Sequence, residues 1–329
     1  MYQKAEAASL AAAGSRYHRA MVSLDHSRFS SARVLDGGMA SELEFLGANI
    51  SGPLWSAHVL EDAPEKVIAV HRAYLDAGAQ VLLTASYQVS RRGYAEIGLD
   101  AVRADRALLR SVELACAARV EFPDSHALIA ASLGPYGAAL HNGAEYHGNY
   151  NCGFADLVQF HRQRIEVLAQ SDADLLAFET LPSLKEARAI GEALQPWPDL
   201  AAWFTFNCPQ AQAPRLQVAH GESLFDCASM AASFSQTVAV GVNCTQPVWI
   251  SDLISELRRA SNKPIVVYPN SGEEWDAACR CWTGESAPAA FGAMAAQWYA
   301  QGAQLVGGCC RTRPGHIREV AAAASSYRS

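Results

Sequence analysis

Eight short β-rich runs recur along the chain, each followed by a segment of helical spacing, and this alternation limits the fold more than any other feature. The runs are 33–35, 81–84, 127–132, 175–178, 202–206, 238–242, 264–268 and 304–306. Strand and helix in alternation imply a parallel sheet, and eight repeats close it. The expected class is α/β, a single (β/α)8 barrel over 31–329 behind an N-terminal extension, 1–30. Helices are expected over 64–77, 104–120, 157–170, 184–194, 250–260, 289–300 and 316–324, with another near 229–235. The first has Pro64 in its opening turn, Val67, Val70, His71 and Tyr74 on one face, and Gly78 as its stop. Long connections follow runs one (37–61), two (85–101), three (134–152) and seven (269–286). All four leave the C-terminal ends of strands, the barrel face on which loops build active sites.

Composition removes other classes. Hydrophobic residues at 50% and charged residues at 18% of 329 describe a globular chain with ample core. The net charge of −7, from 26 basic and 33 acidic side chains with no basic run, argues against nucleic acid as a partner. No apolar run approaches the roughly 18 residues of a membrane span. Nine cysteines, an odd number with no cleavable signal before them, point to the cytoplasm. Residues 1–30, rich in Ala and Ser with Lys4, Arg16 and Arg19, read as a loosely ordered extension or an upstream start before Met21. An amphipathic targeting segment is the alternative.

The chemistry gathers at Leu305-Val306-Gly307-Gly308-Cys309-Cys310-Arg311. A buried strand that stops at two glycines delivers two adjacent thiols into a loop. A disulfide between them would be strained. The run 238–242 is built the same way and leads to Asn243 and Cys244. In one parallel barrel these strand ends converge, so three thiols meet on one face. Three thiolates with an open fourth position describe a catalytic Zn²⁺ site, whereas a structural site is closed by a fourth protein ligand. Cys279 and Cys281, as Cys-Arg-Cys in a polar loop, form a weaker candidate for metal or redox chemistry. Cys116, Cys152, Cys208 and Cys227 read as buried or incidental, and the spacing of His141 and His147 matches no zinc pattern. Arg311 and Thr312 are expected to shape the start of the last helix.

Other strand ends carry polar groups. Asp36, followed by Gly37 and Gly38, leaves run one, and is either an ammonium ligand or an Asx turn. Glu179 leaves run four, and reads as an ammonium ligand over a structural salt bridge. From opposite sides of the barrel, the two acids would hold the amine of an amino acid. Tyr87 and Tyr136 follow runs two and three, and Tyr268 ends run seven, with Asn270 two residues on. Each is either packing or an aromatic wall for a cation, worth ~0.5–2 kcal/mol.

The segments Asp36 to Glu44, Thr84 to Gln88, Gly134-Pro135-Tyr136-Gly137, Glu179-Thr180, Gly241-Val242-Asn243-Cys244 and Gly307-Gly308-Cys309-Cys310-Arg311 together resemble the homocysteine S-methyltransferase family. The likeness runs from about Val34 to about Val320. The stretches 143–150 and 267–273 are similar to the branch that uses S-methylmethionine or S-adenosylmethionine, more than to the betaine-using branch. Gly38 stands where sulfonium-using members often carry Ala. The resemblance implies Zn²⁺ held by Cys244, Cys309 and Cys310, with the homocysteine sulfur as incoming ligand. Asp36, Gly37, Gly38 and Glu179 then correspond to amino-acid binding positions, with Tyr87, Asn243, Tyr136 and Asn270 as further substrate contacts. The implied partners are small molecules alone, homocysteine and a sulfonium methyl donor.

Elementary chemistry agrees. A thiol with a pKa near ~8.5 is a poor nucleophile at neutral pH, and zinc coordination deprotonates it. Competing readings keep the site and change its use: betaine as donor, selenocysteine as acceptor, a corrinoid partner protein, or a regulator that binds zinc without turnover. A zinc hydrolase fits less well, because thiolates quench the Lewis acidity that water activation needs.

Overall fold

In the computed structural model, residues 29, 31–50, 58–209, 216–276, 281–284 and 286–328 are described. The expected extension 1–30 lies outside them except for Phe29, which packs in the barrel's inner cluster.

The strands are β1 (Arg33–Val34), β2 (Val81–Leu83), β3 (Leu128–Leu133), β4 (Leu175–Leu181), β5 (Ala202–Phe206), β6 (Thr237–Asn243), β7 (Ile265–Tyr268), β8 (Glu274–Asp276), β9 (Cys281–Thr283) and β10 (Leu305–Val306). Eight of them form one parallel sheet in the order β1-β10-β7-β6-β5-β4-β3-β2. A parallel bridge between Leu35 and Val81 joins its two ends, and Asp36 N–H donates to Val81 O at 3.0 Å. The sheet is a closed (β/α)8 barrel.

The period of two along each strand divides the core into two layers. Leu35, Val81, Leu128, Ala130, Leu175, Trp203, Val266 and Leu305 fill the interior. Val34, Leu82, Ile129, Leu176, Phe204, Val240 and Val267 face outward under the helices. Both faces being apolar explains why the runs read as continuous hydrophobic stretches.

The helices follow local signals. Pro64 opens Pro64–Asp76; the Asp100 side chain accepts from Arg103 N–H at the start of Ala101–Val120; Ser183 accepts from Glu186 N–H at the start of Leu184–Leu194. Phe154–Leu168, Ile250–Ala260, Pro288–Ala300 and Pro314–Arg328 lie within a few residues of expectation. Three expectations change. The helix placed near 229–235 runs Leu224–Ala232, because the Ser223 side chain caps it and Leu224, Cys227, Ala228 and Ala231 form its buried face. The connection after β1 contains helices Met39–Phe45 and Val59–Asp62. The polar loop after β7 holds an antiparallel hairpin, β8 with β9, and Cys281 lies in its second strand while Cys279 lies outside the described residues. No helix among the described residues is long and apolar enough to cross a membrane.

Candidate functional site

At the end of β6, Cys244 has φ of 51°, a left-handed conformation that turns the chain out of the sheet. That backbone is held on both sides: Cys244 N–H donates to Tyr268 O at 3.2 Å, and Asn207 Nδ2 donates to Cys244 O at 2.7 Å. After β10, Cys309 N–H donates to Pro269 O at 2.7 Å and Cys310 N–H to Asn270 Oδ1 at 3.2 Å. The following turn closes through Thr312, whose Oγ1 donates to Cys309 O at 2.7 Å while accepting from Gly38 N–H at 3.1 Å.

These restraints bring Cys244, Cys309 and Cys310 together, with all three Sγ atoms within 4.8 Å of one another. Cys244 Sγ and Cys310 Sγ are 3.6 Å apart, well beyond a disulfide bond. Tetrahedral zinc with sulfur at about 2.3 Å places neighbouring sulfurs about 3.8 Å apart. The donor set fits such an ion. Hydrogen bonds from Cys244 and Cys309 hold the Cys310 thiol well below its ordinary range. Cys309 is pushed well above it by its bonds to Cys244 and Cys310 and by burial. Three sulfurs that share their protons so closely are a donor set that a dication completes by displacing those protons.

Asp36 is buried, and its Oδ2 accepts from Leu83 N–H at 2.8 Å, tying β1 to β2. Its other oxygen, Oδ1, has no partner. The residue is therefore not an Asx turn; one oxygen is structural and one is free. Burial pushes its carboxyl well above the usual range, the Leu83 N–H pulls it back, and the charge of Glu179 raises it further.

Glu179 and Thr180 stand at a register shift between β4 and β5, with Thr180 at φ of 59°. Such a bulge re-aims side chains near a site. Burial pushes Glu179 up to about 7, against hydrogen bonds from Ser132 and Tyr268 that lower it. Asn243 braces the bulge: its Oδ1 accepts from Thr180 N–H at 2.7 Å and Thr205 Oγ1 at 2.8 Å, and its Nδ2 donates to Thr180 Oγ1 at 2.9 Å.

A cavity of about 180 Å³ joins these groups, lined by Asp36, Gly37, Gly38, Tyr87, Glu179, Asn243, Cys244, Tyr268, Cys309 and Cys310 among others. A Cβ at Gly38 would sit 2.5 Å from Cys309 O, so glycine admits the cysteine turn as well as a ligand. Two of the expected substrate contacts lie elsewhere. Tyr136 is not in the cavity wall; it begins the turn Tyr136–Leu140 and packs on Tyr150 and Phe160 with Arg92 above its ring. Asn270 is not in the wall either, and acts on Cys310 N–H. His141 and His147 are not part of the thiol group.

Sequence reasoning passed over Tyr146, whose hydroxyl is 3.7 Å from Cys244 Sγ, and Ser132, which donates to Glu179. Tyr146 lies 98 positions before Cys244, and no spacing rule links them. Ser132, a lone polar residue at the end of an apolar strand, was the readable signal.

The loop that carries Tyr146 is anchored by a buried polar chain. Arg164 Nη2 donates to Gly134 O at 2.9 Å and to His161 Nδ1 at 2.8 Å; His161 Nε2 meets Glu186 Oε1 at 2.9 Å; Glu186 accepts from Tyr136 N–H and Tyr150 O–H. With Nδ1 accepting, His161 is neutral and donates through Nε2, in line with burial holding it well below its ordinary range.

The family model for homocysteine S-methyltransferase matches residues 33–324. Homocysteine S-methyltransferase YbgG of Bacillus subtilis is 43% identical over 304 residues, covering 90% of this chain and 95% of that protein. Selenocysteine Se-methyltransferase of Brassica oleracea is 38% identical over 314 residues, covering 90% of each. The crystal structure of the metallated form of the homocysteine methyltransferase MmuM from Escherichia coli superposes with a TM-score of 0.79 at 39% identity, over 89% of this chain and 96% of that one. The chain belongs to the homocysteine S-methyltransferase family.

Proposed function

We propose that this chain transfers a methyl group from a sulfonium donor, S-methylmethionine or S-adenosylmethionine, to the sulfur of L-homocysteine, giving methionine. The observation that carries the reading is the thiol triad, with Cys244 Sγ and Cys310 Sγ 3.6 Å apart beside the unpartnered Asp36 Oδ1. Cys244, Cys309 and Cys310 would hold Zn²⁺. When bound, the ion supplies acidity that strips the homocysteine thiol of its proton and keeps the sulfur reactive.

The chain's own residues do the rest. Asp36 Oδ1 and Glu179 receive the substrate ammonium, which gives two buried carboxyls the cation they lack. Gly37 and Gly38 let the amino acid approach the backbone, and Asn243 fixes the bulge that aims Glu179. Homocysteine sulfur forms a bond to the methyl carbon as the methyl–sulfonium bond breaks, and that electron pair stays on the donor sulfur. The departing thioether is neutral, so no general acid is needed. Positioning two substrates in line is the main task, and effective molarity is its measure. The free thiols of the described chain suit a reducing, cytoplasmic setting.

The test is methionine formation by reduced, zinc-loaded protein, with homocysteine as acceptor and S-methylmethionine, S-adenosylmethionine and betaine offered in parallel. Methionine from a sulfonium, abolished by a chelator, is expected; none from either sulfonium despite bound metal contradicts the reading. The likeness to the Brassica enzyme supports selenocysteine as a second acceptor, which competition against homocysteine resolves.

A further inference from the structure

Two buried carboxylate oxygens have no hydrogen-bond partner, Asp36 Oδ1 in the cavity wall and Glu145 Oε2 one residue before Tyr146. Buried polar atoms are almost always paired, and an unpaired buried carboxylate leaves a charge for a cation bound close by to offset. Asp36 already has an assigned ligand. Glu145 does not.

Glu145 lies in the turn Ala144–Tyr146 of the connection after β3, only 6% exposed. The turn is locked: His147 N–H and Gly148 N–H both donate to Ala144 O, and Gly137 packs so closely that a Cβ there would be 2.5 Å from Glu145 N. No ion pair joins Glu145 to a Lys, Arg or His among the described residues; Arg92 lies over Tyr136 and pairs with Glu96, and Arg164 donates to Gly134 O and His161. Glu145 does not itself line the cavity. Burial raises the acid range of Tyr87 and the charge of Glu145 adds to it; Cys244 and burial raise that of Tyr146, with Glu145 again adding; and burial raises that of Glu145 itself.

Resting on the sulfonium reading above, we propose that Glu145, one residue before the cavity-lining Tyr146, is the residue by which the site selects a cationic methyl donor over a neutral thioether. Tyr146, 3.7 Å from Cys244 Sγ, puts this subsite beside the thiols. Aromatic faces attract a desolvated cation, and a fixed carboxylate close by adds to the attraction. The charge that is recognised vanishes in the reaction, because the sulfonium leaves as a thioether. Attraction to Glu145 is thus lost at the moment of transfer, which favours release of the spent donor. It is also weaker in the transition state than in the ground state, so Glu145 tightens donor binding without speeding the chemical step, and its loss raises the donor KM without lowering kcat.

S-methylmethionine and methionine differ only in the charge and methyl at sulfur, and their binding to zinc-loaded protein, measured by calorimetry, isolates this effect. The wild-type chain is expected to favour S-methylmethionine by about tenfold or more, and Glu145→Gln to lose most of that preference. In turnover the loss falls on the donor KM, while zinc content and the homocysteine KM stay at wild-type values. Glu145→Asp, which keeps the charge, restores part of the preference. A Glu145→Gln chain that discriminates as wild type does overturns the proposal, as does one that loses zinc and homocysteine binding along with donor binding. A wild-type chain that makes no methionine from any sulfonium would instead overturn the functional reading itself.

Discussion

Cys244 Sγ and Cys310 Sγ lie 3.6 Å apart although 66 positions separate them in the chain. The separation is fixed from the backbone, through Tyr268 O and Asn207 on one side and Asn270 on the other. In the proposed zinc site, replacing one sulfur leaves two of the three ligands. Cys310→Ser is expected to weaken zinc binding by at least about 100-fold, read by competition with a chromophoric chelator, and to abolish methyl transfer. Full zinc retention would remove Cys310 from the ligand set.

In its proposed role as an ammonium ligand, Glu179 would give the site a pH dependence. Burial raises its carboxyl to about 7, so below that value it is neutral and attracts no ammonium. Ligand binding should therefore tighten as pH rises through about 7 and level off above it. A thiol-free amino acid such as L-norleucine isolates this from thiol ionisation; its affinity is expected to rise several-fold between about pH 6 and about pH 8. Glu179→Gln should weaken binding and flatten the profile.

Asn243 touches no methyl group in this account, yet it holds Thr180 at a φ of 59° by two hydrogen bonds. Asn243→Ala leaves Thr180 N–H without its acceptor inside the barrel. The expected cost is about 2–3 kcal/mol in chemical denaturation, with a raised KM for homocysteine as Glu179 loses its aim. An unchanged midpoint would mean that water replaces the amide.

Arg164 anchors the loop that carries Tyr146. Arg164→Met removes the donor to both Gly134 O and His161 Nδ1 in a buried setting. A loss of about 2–4 kcal/mol is expected from urea midpoints, together with a raised donor KM and little change in zinc content. A fall in zinc content as large as that of Cys310→Ser would show that the network supports the thiols directly.

The barrel was legible because each strand is a short, largely apolar run set off from the next by a helical segment, and the count of eight closes one architecture. Cys309 and Cys310 were legible for the same reason, standing at the end of such a run. Contacts made by loops were not. Tyr136 leaves β3 as Tyr87 leaves β2, yet the turn Tyr136–Leu140 carries its ring onto Tyr150, while Tyr146, ten positions on, returns to Cys244. Helix Met39–Phe45 was read as loop because Gly37 and Gly38 precede it and only Glu42 and Leu43 are buried, too few to print a periodicity. Asp36 was legible as a mouth residue, but not as one whose two oxygens have different tasks, since Leu83 N–H is brought to it by barrel closure.

The central claim is that the homocysteine sulfur joins three cysteine sulfurs on one zinc ion. X-ray absorption at the zinc edge of the reduced, loaded chain counts those sulfurs directly. The account predicts three at about 2.3 Å in the resting protein and four once L-homocysteine is bound. A count that stays at three with homocysteine bound would contradict it.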